Sequence, residues 1–181
     1  MSSYKSERCP FIYRVSSVGR IIDGDTIDVA IDLGFDVCTK QRIRLMGIDT
    51  PESRTSDKIE KVFGKQAKKV LKQWCMKAVA SEKDDIDIEL RCSEADPRDK
   101  YGRVLAEVWI CEDDNWTNVN QWMCENNYAV PYLGQNKDDV AGQHERNRHM
   151  MVAKYGGDTL VELHGDNNSE IKSYIAEKYG Q

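Results

Sequence analysis

Three short stretches hold the residues whose types and spacing could do chemistry. In Ile21-Ile22-Asp23-Gly24-Asp25-Thr26, the two aspartates are two positions apart, so on an extended chain they point to one face. Carboxylates held together there repel unless a cation or base is near, which invites a hard metal ion such as Ca2+ or Mg2+. Asp-Gly is also a common hairpin signal, so a plain turn is the competing reading. An EF-hand is excluded, because counting from Asp23 the fifth position is Ile27 and the twelfth is Gly34.

The second stretch is RIRLMGIDTPES, residues 42–53. Asp49 ends an apolar strand, where its carboxylate can join a metal site. Pro51 fixes the corner and removes a backbone donor. Glu52 is thereby held near Asp49, close enough to poise a water beside a metal. Arg44 lies five residues before Asp49, so a regular strand would send the two to opposite faces. A bulge at Gly47, or the turn itself, must re-aim one of them if both serve one site. Alternatively, Asp49 or Thr50 before Pro51 simply starts a turn or helix. The third stretch is DPRDKYGRVLAEV, residues 96–108. Arg103 at a strand entrance could present its planar fork to a phosphate, and Lys100 and Tyr101 could hold a second phosphate or a base. Read alone, it is a charged hairpin turn.

The elements that must position these residues follow from hydrophobic periodicity. Residues 11–22 read as a strand. Ile27, Val29, Ile31 and Leu33 alternate with polar positions in a second strand, and residues 37–48 form a third. Residues 57–79 carry apolar side chains at three- and four-residue spacing, the mark of an amphipathic helix. Strands are expected at 85–92, with Ile86, Ile88 and Leu90 facing inward, and at 103–111. A second helix is expected over Asn115–Asn126, burying Trp116, Val119, Trp122 and Met123. An extended YAVPY follows, then a polar third helix over Lys137–Lys154 that Gly156-Gly157 breaks. The tail has a short apolar piece at Leu160, Val161 and Leu163 and a short helix near Ser169–Tyr179. The expected class is α+β: an OB-like five-stranded antiparallel β-barrel with about three helices, residues 1–155, and a C-terminal extension, 156–181.

The chain has 181 residues, 40% hydrophobic and 31% charged, enough for one packed core. No apolar run is long enough to span a membrane, and the start has no apolar signal region, so a cytoplasmic or intracellular location is expected. Cys9, Cys38, Cys75, Cys92, Cys111 and Cys124 make no close pair, which argues against structural zinc and for reduced, mostly core cysteines. The formal net charge is −5. A negative sum argues against nucleic acid as a partner, but distribution matters more than the sum. Residues 54–79 hold eight bases against two acids, most simply a solvated lysine-rich helix face.

D-G-D-T, then R-L-x-x-I-D-T-P-E, then D-K-Y-G-R, in this order, resembles the staphylococcal nuclease-like (thermonuclease) family over roughly residues 15–155. The resemblance implies that Asp25, Asp49 and the Thr50 carbonyl bind Ca2+, with Mg2+ or another divalent ion as the alternative. It implies that Asp23 lies close by without ligating and that Glu52 sits by the attacking water. Arg44 and Arg103 would clamp the scissile phosphate, and Lys100 and Tyr101 would touch a terminal phosphate. The implied activity is metal-dependent endonucleolytic hydrolysis of DNA and RNA, preferring single strands and leaving 3′-phosphates. Tyr132 is the candidate for stacking on a base, or else packs against the third helix. His144 and His149, five apart, read as surface histidines. A monomer is expected, with the tail a candidate self-association element. The alternative function is a non-catalytic nucleic-acid- or protein-binding module of the same fold.

Overall fold

A computed structural model describes residues 11–79, 87–165 and 167–180. Cys9 and Ile86 lie outside the described residues. The chain forms two compact units. The first comprises residues up to Ile22, Thr26–Met46 and Gln73–Asn120; the second comprises Asp23–Asp25, Gly47–Lys72 and Gln121 onward. No helix among the described residues is long and apolar enough to cross a membrane.

In the first unit, strands β1 (Phe11–Asp23), β2 (Thr26–Asp32) and β3 (Cys38–Leu45) follow one another, and β5 (Ile88–Cys92) and β6 (Val104–Glu112) come later in the chain. The sheet order is β3-β2-β1-β5-β6, and a β3–β6 pairing closes it into a five-stranded barrel, as an OB-like fold requires. The closing pair is parallel, with Ile43 opposite Val104 and Arg44 opposite Leu105, so the barrel is mixed rather than wholly antiparallel. Period 2 sorts the strands as expected. Ile27, Val29, Ile31, Ile43, Leu45, Val104, Ala106, Val108 and Ile110 are buried, and of their neighbours in sequence only Thr26, where β2 begins, is also buried.

The expected helix over Asn115–Asn126 is wrong in its first third. Asp113 and Asp114 take φ of 50° and 62°, a tight hairpin, and β7 (Asn115–Asn118) pairs back on β6 with Trp116 opposite Cys111. Trp116 is 40% exposed rather than buried. Helix α2 starts only at Val119 and ends at Glu125. At its start Asn120 is buried; its Nδ2 donates to the Met46 and Ala106 carbonyls and its Oδ1 accepts from Val108 N. That amide anchors the end of β3.

The chain leaves β3 at Leu45, turns at Met46–Gly47 with Gly47 at φ 77°, and continues as β4 (Ile48–Asp49). In the second unit, β4 pairs with β8 (Val130–Pro131), and Tyr132 N donates to the Gly47 carbonyl. Helix α1 (Lys58–Val79) has Asp57 as its N-cap, whose Oδ1 accepts from Ile59 N at 2.8 Å and Glu60 N at 3.1 Å. Gly64 sits inside this helix, where glycine costs about 1 kcal/mol relative to alanine. It is there for space: a Cβ would lie 2.4 Å from the Glu52 carbonyl carbon and 2.6 Å from the Pro51 oxygen. One turn on, Ala67 meets Gly24, whose added Cβ would lie 2.9 Å from both Ala67 Cβ and Thr50 Oγ1.

Helix α3 (Lys137–Tyr155) matches expectation, and the tail adds α4 (Gly157–His164) and α5 (Ser169–Tyr179). The tail packs within the second unit. Leu160, Val161, Ile171, Ile175 and Tyr179 are buried. The Tyr179 ring stands edge-on to Phe63 at 5.7 Å and to His149 at 5.0 Å, and Lys178 pairs with Glu145 at 2.7 Å. His164 Nε2 lies 2.7 Å from Gln66 Oε1, and Lys65 Nζ donates to the His164 carbonyl. Among the described cysteines, Cys38, Cys75, Cys92, Cys111 and Cys124 are all free thiols. Cys75 and Cys92 are buried and Cys38 is exposed, and burial pushes the Cys75 thiol up to about 12.

Two stability predictions follow from this packing. Gly64→Ala improves helix propensity yet should destabilise the fold by about 2 kcal/mol or more, because the clash is with backbone. A urea titration showing a more stable variant would refute the steric account. Burial pushes the His164 imidazole down to about 4 from an ordinary 6.5. Between those values the unfolded chain binds the proton first, so stability should fall as pH drops from 6.5 towards 4. His164→Gln should flatten that part of a thermal-melt pH profile.

Candidate active site

In the second unit, the loop after β4 is held by acids. Thr50 N donates to Asp25 Oδ2 at 3.2 Å. Glu52 N donates to Glu60 Oε1 at 3.2 Å, and Ser53 N to Asp23 Oδ1 at 3.0 Å. Pro51 has no N–H to place. The backbone donors of residues 50–53 therefore all end on carboxylates, which bind N–H groups more strongly than neutral acceptors do. Glu60 occupies the helix position that usually reaches back to the N-cap. Here it reaches the loop instead.

Asp25 is 8% exposed and Asp23 is half-buried. Glu52 is exposed as a residue, but its carboxyl is partly desolvated and turned towards other acids. Loss of hydration raises it above the ordinary carboxylate range, and the charges of Asp23 and Asp25, a hydrogen bond with Asp23, and Asp49 add to the rise. Asp49 Oδ2 lies 3.0 Å from His144 Nε2 on α3, and the His144 side chain is only 13% exposed. His144 is thus not the surface histidine that spacing suggested; His149 is exposed. Among the described residues, the Thr50 and Ser53 hydroxyls and His144 Nδ1 are buried without a hydrogen-bond partner.

Among the described residues, no three His, Cys, Asp or Glu side chains form a metal-ligating group on their own. The donors are carboxylate and backbone oxygens, and desolvation together with the neighbouring acid charges raises Glu52. Hard oxygen donors with unbalanced negative charge fit a hard divalent cation, better than a soft one.

The cationic candidates lie in the first unit. Arg44, on β3, is half-buried and its Nη1 donates to the Leu45 carbonyl at 3.0 Å. Arg103 at the entrance of β6 is clamped by Asp99: Nε to Oδ2 at 2.7 Å, with Arg103 N on Oδ1 at 2.9 Å. The Asp99 carboxyl sits below the ordinary range, burial opposing and bonds from Arg103 and Tyr101 prevailing. Tyr101 is 72% exposed, with Lys100 Nζ 5.1 Å and the Arg103 guanidinium 5.4 Å from its ring centre. Tyr132, in the second unit, is half-buried, and its N–H donates to the Gly47 carbonyl at 2.8 Å.

Sequence reasoning missed His144, Glu60, Asp99 and Gly64. His144 shares a helical stripe with Val140, Asn147 and Met151, so its inward aim was legible from period 3.6. Asp99 opens the D-K-Y-G-R run but was given no role; its place four residues before Arg103 is the signal that could have paired the two. Glu60 entered only the charge count of residues 54–79, and Gly64 drew no reading.

Comparison with known proteins places these residues in a family. A thermonuclease of Staphylococcus intermedius is 35% identical over 96 residues, 53% of this chain and 49% of that protein. A thermonuclease of Staphylococcus hyicus is 32% identical over 91 residues, 50% of this chain and 46% of that protein. The SPbeta prophage-derived endonuclease YokF of Bacillus subtilis is 34% identical over 94 residues, 52% of this chain and 27% of that protein. The chain thus spans about half the length, or less, of these curated relatives. Asp23 and Asp25 fall before the family match, which begins at Arg42. Residues 42–155, more than half of the chain, match the family of staphylococcal nuclease homologues, and the chain belongs to that family.

Proposed function

We propose that this protein is a metal-dependent nuclease that hydrolyses phosphodiester bonds in DNA and RNA, prefers unpaired strands and leaves 3′-phosphates. The observation that carries the reading is the Glu52 carboxyl, raised among Asp23, Asp25 and Asp49, in a chain that belongs to a family whose named relatives include thermonucleases and endonucleases. Asp25, Asp49 and the Thr50 carbonyl are the proposed cation ligands, with Asp23 beside them. Ca2+ is the proposed ion, because paired carboxylates with a carbonyl suit its tolerance of irregular oxygen geometry. The bound cation supplies positive charge against the charge that builds on the phosphoryl oxygens.

The chain's own residues do the remainder. Glu52, held by its backbone N–H on Glu60, accepts the proton of the attacking water, and a raised carboxyl is a better base than an ordinary one. Arg44 and Arg103 present guanidinium forks to the phosphoryl oxygens, with the Asp99 clamp holding the Arg103 fork in one orientation. Lys100 and Tyr101 take a neighbouring phosphate, and Tyr132 stacks on a base. Binding that reads phosphate and a base face leaves the 2′ position unread, which lets DNA and RNA both serve.

The test incubates single-stranded DNA, duplex DNA and RNA with Ca2+, Mg2+ or chelator. Cleavage of unpaired strands that needs a divalent ion is expected; no cleavage under any condition sinks the reading. Glu52→Gln and Arg44→Ala should each lower turnover by about 100-fold or more while the protein stays folded. Near-normal turnover in either would remove that residue from its role. A second measurement needs no turnover. Well below the ordinary carboxylate range both folded and unfolded chains hold the Glu52 proton. As pH rises, the unfolded chain ionises first, so the raised folded carboxyl costs stability until it too ionises. In chelator, Glu52→Gln should therefore melt higher than wild type at neutral pH and equally in acid. Added Ca2+ should narrow the neutral-pH gap, and a gap independent of pH would refute the crowding account.

A further inference from the structure

A second feature of the first unit adjoins Tyr101 and Arg103 but adds Arg20, Lys40 and Arg42, which the chemistry above does not use. A cavity of about 710 Å³ opens on the sheet face formed by β1, β2 and β3 and the turn before β6, and Arg20, Asp28, Lys40, Arg42, Tyr101 and Arg103 line it. Its size falls within the range of small-ligand sites, roughly 300–1,000 Å³. Its lining has four cations and one acid, a local +3, in a chain whose formal sum is −5.

The cations are ordered by the strand. Cross-strand register sets Arg44 opposite Thr26, Arg42 opposite Asp28 and Lys40 opposite Ala30. Lys40, Arg42 and Arg44 therefore share one face of β3, spaced about 7 Å apart, comparable with successive phosphates of an extended nucleic-acid strand. Asp28 sets the middle of the row. Its Oδ1 accepts from Arg42 Nε at 2.7 Å, its Oδ2 from Arg42 Nη2 at 3.1 Å, and Arg20 Nη2 reaches Oδ2 at 3.1 Å. One carboxylate thus aims two guanidinium groups and leaves a positive excess, and among the described residues N–H donors on both are still unused. Tyr101, mostly exposed on the rim, supplies a stacking surface.

We propose that Lys40, Arg42 and Arg20 bind the backbone of an unpaired nucleic-acid strand, continuing the row that Arg44 starts, so that the protein grips the strand beyond the phosphate it cuts. This deepens the nuclease reading and rests on it for the role of Arg44. Asp28 is the positioning residue. The ladder makes affinity grow with strand length and makes it steeply salt-dependent, which a site for a single nucleotide would not be.

The test measures binding rather than turnover. Fluorescently labelled single strands of two and of about ten nucleotides are titrated in chelator at several salt concentrations. The proteins are wild type, Lys40→Gln, Arg42→Gln and the double variant. Each replaced cation should weaken binding of the longer strand by about tenfold and reduce the magnitude of the log–log salt slope by about 0.7. The gain in affinity from lengthening the strand should shrink most in the double variant. Lys40→Gln breaks no ion pair with Asp28, so it carries the test if Arg42→Gln disturbs the fold, checked by urea midpoint. Unchanged affinity and slope in Lys40→Gln and in folded Arg42→Gln overturn the proposal. Equal competition by a polyglutamate peptide also overturns it, since the face would then be a general anion surface. Strand binding with the expected slopes but no cleavage with any divalent ion leaves the ladder standing and removes the nuclease reading.

Discussion

The loop Thr50–Ser53 has its backbone N–H groups on carboxylates, and the rest of the second unit is arranged so that this can happen. Asp25 takes Thr50 N, Glu60 takes Glu52 N, and Asp23 takes Ser53 N. Proline at 51 has no N–H, so the loop holds three backbone donors for the three acids. The acids come from two other segments, so both must approach the loop closely. Gly64 and Ala67 make that approach possible, because the Pro51 and Glu52 carbonyls rest directly on the helix where a side chain would otherwise stand. Tyr179 packs edge-on against Phe63, next to Gly64, so the C-terminal helices brace the helix that bears the loop.

That arrangement decides which acid is available. Asp23 and Asp25 accept hydrogen bonds from loop N–H groups, so part of their charge is met by the backbone. Glu52 offers its N–H to Glu60, while its carboxyl loses hydration and faces the other acids, and its affinity for a proton rises. The first unit supplies the control within one molecule. Asp28 faces Arg42 and Arg20 instead of acids, and there the hydrogen bond from Arg42 holds the carboxyl below its ordinary range against the effect of burial. The same chemical group moves in opposite directions because of its neighbours.

Much of this was legible in the sequence. The alternation Ile27, Val29, Ile31 fixed a strand and its inward face, and the spacing of Val62, Phe63, Ala67, Val70 and Leu71 fixed α1. A bulge at Gly47 or a turn between Arg44 and Asp49 was expected if both serve one site, and a turn lies at Met46–Gly47 with Gly47 at positive φ. Other features were hidden for physical reasons. Trp116, Val119 and Met123 mimic a helical stripe, yet Asp113 and Asp114 adopt left-handed conformations that fold a hairpin first, and tertiary pairing with β6 overrides the local pattern. The parallel β3–β6 pair joins segments some sixty residues apart, and no local pattern encodes it. His144 reaches Asp49 across 95 positions of sequence, so its inward aim was legible but its partner was not.

Net charge was the least informative quantity, and the period of the β-strand explains why. Ile43 and Leu45 are buried because they occupy one face of β3; Lys40, Arg42 and Arg44 are aligned because they occupy the other. One rule sorts both sets, so the core and the cation row are specified together. A slip of one residue would bury three cations and expose the core, at a cost of many kcal/mol, whereas acids added elsewhere cost almost nothing. The surface can therefore drift to a net −5 while this face stays positive. Any anion approaching within a screening length of about 8–10 Å meets the face, not the sum.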